Sequence, residues 1–267
     1  MYYAMIYFGF LRRKEGMSML PYLIVCPLVF LAGFVDSIAG GGGLISLPAF
    51  MLAGIPAHNA LGTNKLCSAM GTTVSTARFM KNGYVHGKTA VAASAAALCG
   101  SAVGANLALL VSDSVIRHMM LVVLPIVAFY VLRSKNLGEG PDVDTLPPAK
   151  ELLVAVLAAF FIGAYDGFYG PGTGTFLILI LTGVGKMNVK RASGLTKVIN
   201  LSSNVAAVIT FIMNGKVYYP LGLAGGCFCI AGHYIGSGMV VSNGKKIVRP
   251  VVLVVLAILF IKVLTGQ

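Results

Sequence analysis

The chain has 267 residues, of which 57% are hydrophobic and 10% are charged, and its mean hydropathy is +0.88. Soluble domains carry roughly 25% charged residues, so this composition excludes an ordinary soluble protein and a disordered chain. The formal net charge is +12. In a membrane protein such an excess is typical of cytoplasmic loops, and without a compact basic domain we expect no nucleic-acid partner.

Long apolar runs that do not alternate predict membrane-spanning helices and not a β-barrel. Residues 1–19 are predicted to be an N-terminal extension. The runs 44–54 and 174–184 are too short to cross a bilayer alone, which leaves about eight full spans in an all-α polytopic membrane protein. In chain order the predicted helices are 20–38, 44–54, 62–80, 89–111, 115–132, 151–168, 174–184, 194–213, 218–240 and 247–264.

The two halves of the chain match each other at shifts of 130 and 132 residues. We therefore predict a first transmembrane repeat at 20–132, a polar linker at 133–150 and a second repeat at 151–267. Such internal duplication is typical of secondary transporters. Matched pairs include Gly33 and Gly163, Asp36 and Asp166, Gly40 and Gly170, Lys65 and Lys197, Gly100 and Gly232, and Gly104 and Gly236.

Loop charge predicts how the repeats are oriented. Basic residues concentrate at 81–88 and 133–150 in the first half, but at 185–193 and 241–249 in the second. Equivalent loops are therefore expected on opposite sides of the membrane, as in inverted repeats. Eight helices in two parallel four-helix repeats remain the alternative.

Each repeat carries a glycine-rich break between a long and a short apolar run. The stretches are GFVDSIAGGGGLISLP, from Gly33, and GAYDGFYGPGTGTFLIL, from Gly163. A glycine costs about 1 kcal/mol relative to alanine inside a helix, so we expect unwound backbone, which membranes tolerate only inside protein or along a wet cavity. The short helices would then present their positive N-terminal ends to an anion. Close helix packing is the alternative role for these glycines.

The candidate substrate-binding residues combine these glycines with hydroxyl, amide and ammonium donors that suit an oxyanion. Asp36 and Asp166 are the only acids within the apolar runs, where a charge is costly. They are predicted either to carry a coupled proton or to hold the breaks in shape by binding loop amides or Lys65 and Lys197. The substrate-binding candidates are Gly40, Gly41, Gly42, Gly43, Asn64, Lys65, Gly170, Gly172, Thr173, Gly174, Thr196, Lys197 and Asn200.

Other reactive side chains give no pattern of a catalytic or metal site. The five cysteines form no C-x-x-C pair, and the four histidines have no metal-binding spacing. We therefore expect no catalytic centre, metal or cofactor, and we interpret the histidines as loop or packing residues.

The two glycine motifs, with NGKV at Asn214–Val217 and the closing KKIVRPVV, resemble the TauE/SafE family of membrane transporters, also called the sulfite exporter family. The YfcA-like branch is the most similar, and the resemblance covers about residues 20–264. It implies an inner-membrane protein, built by duplication, that moves sulfite or organosulfur anions. Two departures stand out: Thr196 replaces Asn64 in the second copy, and Pro171 stiffens the second break.

Together these observations predict a secondary transporter, not an enzyme, in the inner or plasma membrane. It would move a small anion, either sulfite or an organosulfur or sulfonate-type anion, by alternating access. Its expected partners are the lipid bilayer and this anionic substrate, with proton coupling and a homodimer as further hypotheses. An anion channel and a non-transporting membrane component of unknown partner remain the alternatives.

Overall fold

The computed structural model describes residues 19–116, 118, 119, 122 and 144–243, and within these ranges it contains helices and no strand. The predicted all-α class is therefore confirmed. The predicted helices 115–132 and 247–264 lie almost wholly outside the described residues. The principal helices are α1 (Leu20–Ala39), α2 (Gly43–Leu52), α3 (Ala57–Lys81), α4 (Gly87–Leu110), α5 (Pro148–Phe168), α6 (Thr173–Gly183), α7 (Val189–Met213) and α8 (Tyr219–Asn243).

Five of these helices are long and apolar enough to cross a membrane, namely α1, α4, α5, α7 and α8 as far as Val241. A helix of 20 residues is about 30 Å long, which matches the hydrocarbon thickness of a bilayer. Helix α3 has 25 residues but is more polar, because its buried residues include Thr63, Asn64 and Lys65. Helices α2 and α6 have 10 and 11 residues and are the short helices that the sequence predicts.

The two glycine breaks lie against each other in the interior of the protein. Helix α1 ends where Gly40 takes φ of 78° and donates its N–H to Asp36 O (2.9 Å), and Gly172 before α6 has φ of 82°. That conformation costs other residues about 1–2 kcal/mol. A Cβ on Gly40 would also overlap the backbone of Gly174. The glycines therefore serve both of the predicted roles, since they unwind the helices and let the breaks approach.

The polar linker ends earlier than the sequence predicts, because α5 begins at Pro148 and not at residue 151. Proline is tolerated in the first turn of a helix, where its missing N–H has no partner to lose. The described end of the linker is held by Arg191 of α7, which pairs with Asp144 and with Glu151 Oε1 (2.7 Å). This cluster fixes the entry of the second repeat.

The first helix of each repeat packs against a late helix of the other repeat through glycines. Helix α1 contacts α8, and α5 contacts α4, with backbone approaching backbone where a side chain would not fit. At α1–α8 the pairs are Gly33 with Cys229, Gly232 with Phe30, and Gly236 with Phe34; at α4–α5 they are Gly163 with Ala97, Gly100 with Phe160, and Gly104 with Ala164. Because these pairs occupy matched positions of the duplication, the two repeats interlock in the same way.

Two three-helix bundles result, each with members from both repeats. Helix α8 packs against α1 and α3, whereas α4 packs against α5 and α7. The bundles meet where α3 crosses α7: Thr76 Oγ1 donates to Lys197 O (3.1 Å), Gly62 contacts Lys216, and Gly194 contacts Tyr84. The start of α3 thus lies beside the end of α7, and the start of α7 lies beside the loop that follows the end of α3. These equivalent helices therefore run antiparallel.

Candidate functional site

A small cavity lies where the two breaks meet. Its volume is about 20 Å³, which is room for one or two water molecules. The first residue of α2, Gly43, and the first residue of α6, Thr173, both line it, so both short helices begin at the same cavity. The lining residues are Asp36, Gly40, Gly43, Asn64, Lys65, Ser68, Asp166, Gly170, Thr173, Asn200 and Asn204.

Asp166 forms the tight half of the site. Its carboxylate accepts a bond from Thr173 Oγ1 (2.8 Å), pairs with Lys65 Nζ (2.7 Å) and accepts the hydroxyl of Ser203. The side chain is only 4% exposed. A buried carboxylate with three close donors is well compensated for the loss of water.

Asp36 forms the loose half of the site. Its carboxylate contacts the Gly42 N–H at 3.3 Å, Asn200 Nδ2 at 3.4 Å and Lys197 Nζ at 3.6 Å. Lys197 directs its short contact to the backbone carbonyl of Asp36 instead. The Asp36 side chain is 15% exposed. All of these carboxylate contacts exceed the 2.7–2.9 Å typical of charge-assisted hydrogen bonds, so Asp36 is held less firmly than Asp166.

The two ion pairs cross between the repeats. Lys65 of the first repeat pairs with Asp166 of the second, and Lys197 of the second pairs with Asp36 of the first. Both pairs therefore also join the two bundles. The charges of two lysines and two aspartates cancel, and breaking a buried pair is costly because the remaining charge has no partner.

Two equivalent positions carry buried polar atoms without a partner. Asn64 Oδ1 and Thr196 Oγ1 have no hydrogen bond within the described part of the chain, and neither do Thr72 Oγ1 and Tyr169 OH. Asn64 lines the cavity, whereas Thr196 does not. Buried polar atoms are nearly always paired. Asn64 Oδ1 is an acceptor, so a water or a protonated group in the cavity would complete its hydrogen bonding. Because Asn64 lines the cavity, it is the better placed of the two to contact whatever occupies it.

The structure brings most, but not all, of the predicted residues to the cavity. Gly42 lines a smaller adjoining cavity of about 10 Å³, and Gly41 lines neither. A Cβ on Gly41 would meet nothing nearer than Leu44 Cδ1 at 3.6 Å, so its position requires no glycine for space. The predicted binding residues that line neither cavity are Gly41, Gly172, Gly174, Thr196 and Lys197.

Several residues at the site are absent from the predicted set. Ser68 follows Asn64 by four residues, so the helical i, i+4 spacing was a signal that could have found it. His233 lines the adjoining cavity beside Asp36, although the sequence suggested only a loop or packing residue. Within the described ranges, no group of three or more His, Cys, Asp or Glu side chains could hold a metal ion.

Known proteins resemble this chain over most of its length. The sequence model of the family described as "Sulfite exporter TauE/SafE" matches residues 25–263. A probable membrane transporter protein ORF9 from Sinorhizobium sp is 35% identical over 92% of this chain and 92% of its own length. The probable membrane transporter protein YfcA of Escherichia coli K12 is 35% identical over 89% of this chain and 87% of its own.

A probable membrane transporter protein of Haemophilus influenzae is 32% identical over 89% of this chain and 92% of its own length. No solved structure matches the chain. These similarities and the five apolar helices together identify a multi-pass membrane transporter.

Proposed function

The chain belongs to the TauE/SafE sulfite exporter family of membrane transporters, and on that premise we propose a secondary transporter for a small anion. The cargo is sulfite or an organosulfur or sulfonate-type anion, and the location is the inner or plasma membrane. One observation carries this proposal: both short helices begin at a cavity whose ionic side chains already neutralise one another. The N-terminal N–H groups of α2 and α6 then supply the positive potential that an anion needs.

Of the two roles that the sequence offers for the lysines, pairing with the aspartates and adding positive potential to the site, the ion pairs favour the first. Lys65 and Lys197 balance the aspartates, so neither is free to act as an uncompensated positive charge on the cargo. Neutral donors around the cavity remain, namely the amides of Asn64, Asn200 and Asn204 and the Ser68 hydroxyl. Such donors suit the oxygen atoms of an oxyanion.

Alternating access is supported by the size of the cavity and by the division into bundles. A volume of about 20 Å³ holds one or two waters, so a larger anion enters only when the helices around the breaks separate. The breaks and both ion pairs lie between the two bundles, which makes that interface the place to open. Rocking of one bundle against the other would expose the cavity to each side in turn.

The antiparallel crossing of α3 and α7 supports inverted repeats. These helices hold the equivalent residues Gly62 and Gly194, and equivalent helices of parallel repeats would run in the same direction. Opposite orientation agrees with the reversed distribution of basic loops. Inverted repeats suit alternating access because each half takes the role of the other when the site changes side.

Anion flux in proteoliposomes tests the transport proposal. Sulfite, thiosulfate, a sulfonate and a small carboxylate are each supplied to wild type, and we expect saturable uptake of at least one sulfur anion. Gly40→Ala should lower this flux by about tenfold or more, because the new Cβ meets Gly174 and strains the backbone, together about 2–5 kcal/mol.

Gly54→Ala is the matched control, since Gly54 has φ of 80° but open space around it. It carries the backbone strain alone and should keep wild-type flux. Equal losses in both variants would contradict the role of the breaks. Flux that substrate on the far side does not accelerate would favour a channel, and no uptake of any of the four anions would overturn the anion assignment.

A further inference from the structure

His233 of α8 is the histidine buried against the loose half of the site. It is 1% exposed, and its Nε2 lies 3.5 Å from Asp36 Oδ2. The other ring nitrogen, Nδ1, lies 3.0 Å from Ser75 Oγ on α3. Gly71 gives the ring its space, because a Cβ there would overlap the imidazole. The ring is thus fixed by its neighbours and directed at the carboxylate.

Both ring nitrogens have an acceptor beside them when the ring is protonated. Nδ1–H would donate to Ser75 Oγ at 3.0 Å, and that hydroxyl has Thr72 O at 3.1 Å as its own acceptor. Nε2–H would face Asp36 Oδ2 at 3.5 Å. An imidazolium carries an N–H on both nitrogens, so the surroundings of His233 satisfy the protonated ring on both sides.

The tight half has no such group. The position equivalent to His233 is Ser101, and the position equivalent to Gly71 is Ser203. There Ser101 Oγ donates to Ser203 O (2.6 Å), and Ser203 donates to Asp166. One half of the duplicated site therefore carries a titratable ring beside its aspartate, and the other carries hydroxyls. Histidine is the side chain whose charge changes most readily near neutral pH.

Charge balance gives this ring a role in transport. The groups that face it are Asp36 on α1, Lys197 on α7, the Cys67 thiol on α3 and Cys229 on its own helix. The ionic side chains of the site sum to zero when the ring is neutral, so an entering anion brings an uncompensated negative charge. In a buried site such a charge is strongly unfavourable, and one added proton removes it for a monoanion such as hydrogen sulfite and halves it for the sulfite dianion.

We infer that His233 is the proton-binding residue of this transporter, and that an anion and a proton cross together. This inference rests on the proposed function. When the cavity opens to one side, the imidazole takes a proton from a hydronium ion there while the anion binds: an O–H bond breaks, an N–H bond forms and water is left. When the cavity opens to the other side, that N–H bond breaks and the proton forms an O–H bond with water, giving hydronium, as the anion leaves.

The experiment compares net uptake with exchange in proteoliposomes loaded with a pH-sensitive dye, with sulfite as the probe. In wild type, a sulfite gradient should drive proton movement, and an imposed pH gradient should drive sulfite uptake. In His233→Gln both couplings should fall by about tenfold. Sulfite–sulfite counterflow should rise in wild type as both sides are acidified, because the protonated ring offsets the charge of the anion, and in His233→Gln it should be lower and no longer rise. His118→Gln, at an exposed position, is the control and should keep both couplings.

Each remaining outcome counts against the inference. Unchanged coupling in His233→Gln would overturn it while leaving transport established, and so would wild-type sulfite flux that ignores the pH gradient. Counterflow that still rises on acidification in both His233→Gln and His233→Asn would assign the proton to another group instead. Absence of flux for every sulfur anion in wild type is a different failure, because it rejects the proposed function itself.

Discussion

The two halves of the site share an aspartate and a lysine but hold them very differently. Asp166 has close bonds from Lys65 at 2.7 Å and Thr173 at 2.8 Å, whereas the contacts of the Asp36 carboxylate range from 3.3 to 3.6 Å. The Asp166 half also carries Ser203, where the Asp36 half carries His233. The same ion pair thus occurs twice, and only the carboxylate of Asp36 is held by long contacts.

This difference assigns distinct tasks to equivalent residues. A buried pair with short bonds on every oxygen resists rearrangement, since any movement leaves a charge without a partner. A carboxylate held by four long contacts can exchange one of them for water or cargo at little cost. We therefore regard the Asp166 half as the anchor between the bundles and the Asp36 half as the part that responds to cargo.

The largest expected effect comes from removing one lysine at a time. Lys65→Met leaves Asp166 buried without its cation, which should destabilise the protein by about 3–5 kcal/mol. Lys197→Met should cost clearly less, because Asp36 is more exposed and keeps Gly42, Asn200 and His233 as neighbours. Thermal unfolding of the detergent-solubilised variants measures this difference.

The double variant Lys65→Met with Asp166→Asn is the control for the anchor. It removes both charges of the tight pair, so much of the lost stability should return. Equal destabilisation by Lys65→Met and Lys197→Met would show that the two halves are equally rigid. The assignment of anchor and responsive half would then be wrong.

Sequence patterns predict the breaks well because their cause is local. Four consecutive glycines cannot continue a helix, and the apolar runs after Gly43 and Thr173 are too short to span a bilayer. The crossing of the ion pairs could not be predicted, because it depends on how α3 and α7 pack across the interface. A pairing of Lys65 with Asp36, in its own repeat, agrees equally well with the sequence.

His233 was missed for a related reason. Its neighbours in the sequence are small and apolar, and no spacing links it to Asp36, which lies almost two hundred residues away. The available signal was a difference between the two halves at matched positions. His233 is larger than its counterpart Ser101, and Gly71 is smaller than its counterpart Ser203. The two size differences compensate each other, as expected for residues that pack together.

An intermediate effect is expected at the pair of unpartnered atoms. Asn64→Thr gives the first half the residue of the second, and it should weaken sulfite binding by about tenfold, or about 1.4 kcal/mol, because a cavity amide is lost. Thr196→Val removes a hydroxyl that lies outside the cavity and should leave affinity within about twofold. Thermal-shift titration with sulfite measures both. A larger loss in Thr196→Val would place the ligand on the other side of the site.

The smallest effect concerns Asp144, which steadies the second repeat from outside the membrane-spanning helices. Burial alone would raise its pKa, but the Asn188 N–H at 2.7 Å and the Arg191 guanidinium outweigh burial and hold the pKa below its usual value. The stabilisation is therefore complete above about pH 4, the usual range of an unfolded aspartate, and is lost as pH falls through the lowered pKa. Asp144→Asn should lower stability by about 0.5–1 kcal/mol at pH 7.

The difference in unfolding temperature between wild type and Asp144→Asn should therefore shrink as the solution is acidified towards the lowered pKa. A gap that widens at acidic pH would contradict this sign. Sulfite affinity should not change, because Asp144 acts on Arg191 at the start of α7. Both Lys197 and Asn200 lie further along the helix. If affinity fell as well, the Asp144–Arg191 cluster and the responsive half would be coupled through α7, and the start of that helix would belong to the part that responds to cargo.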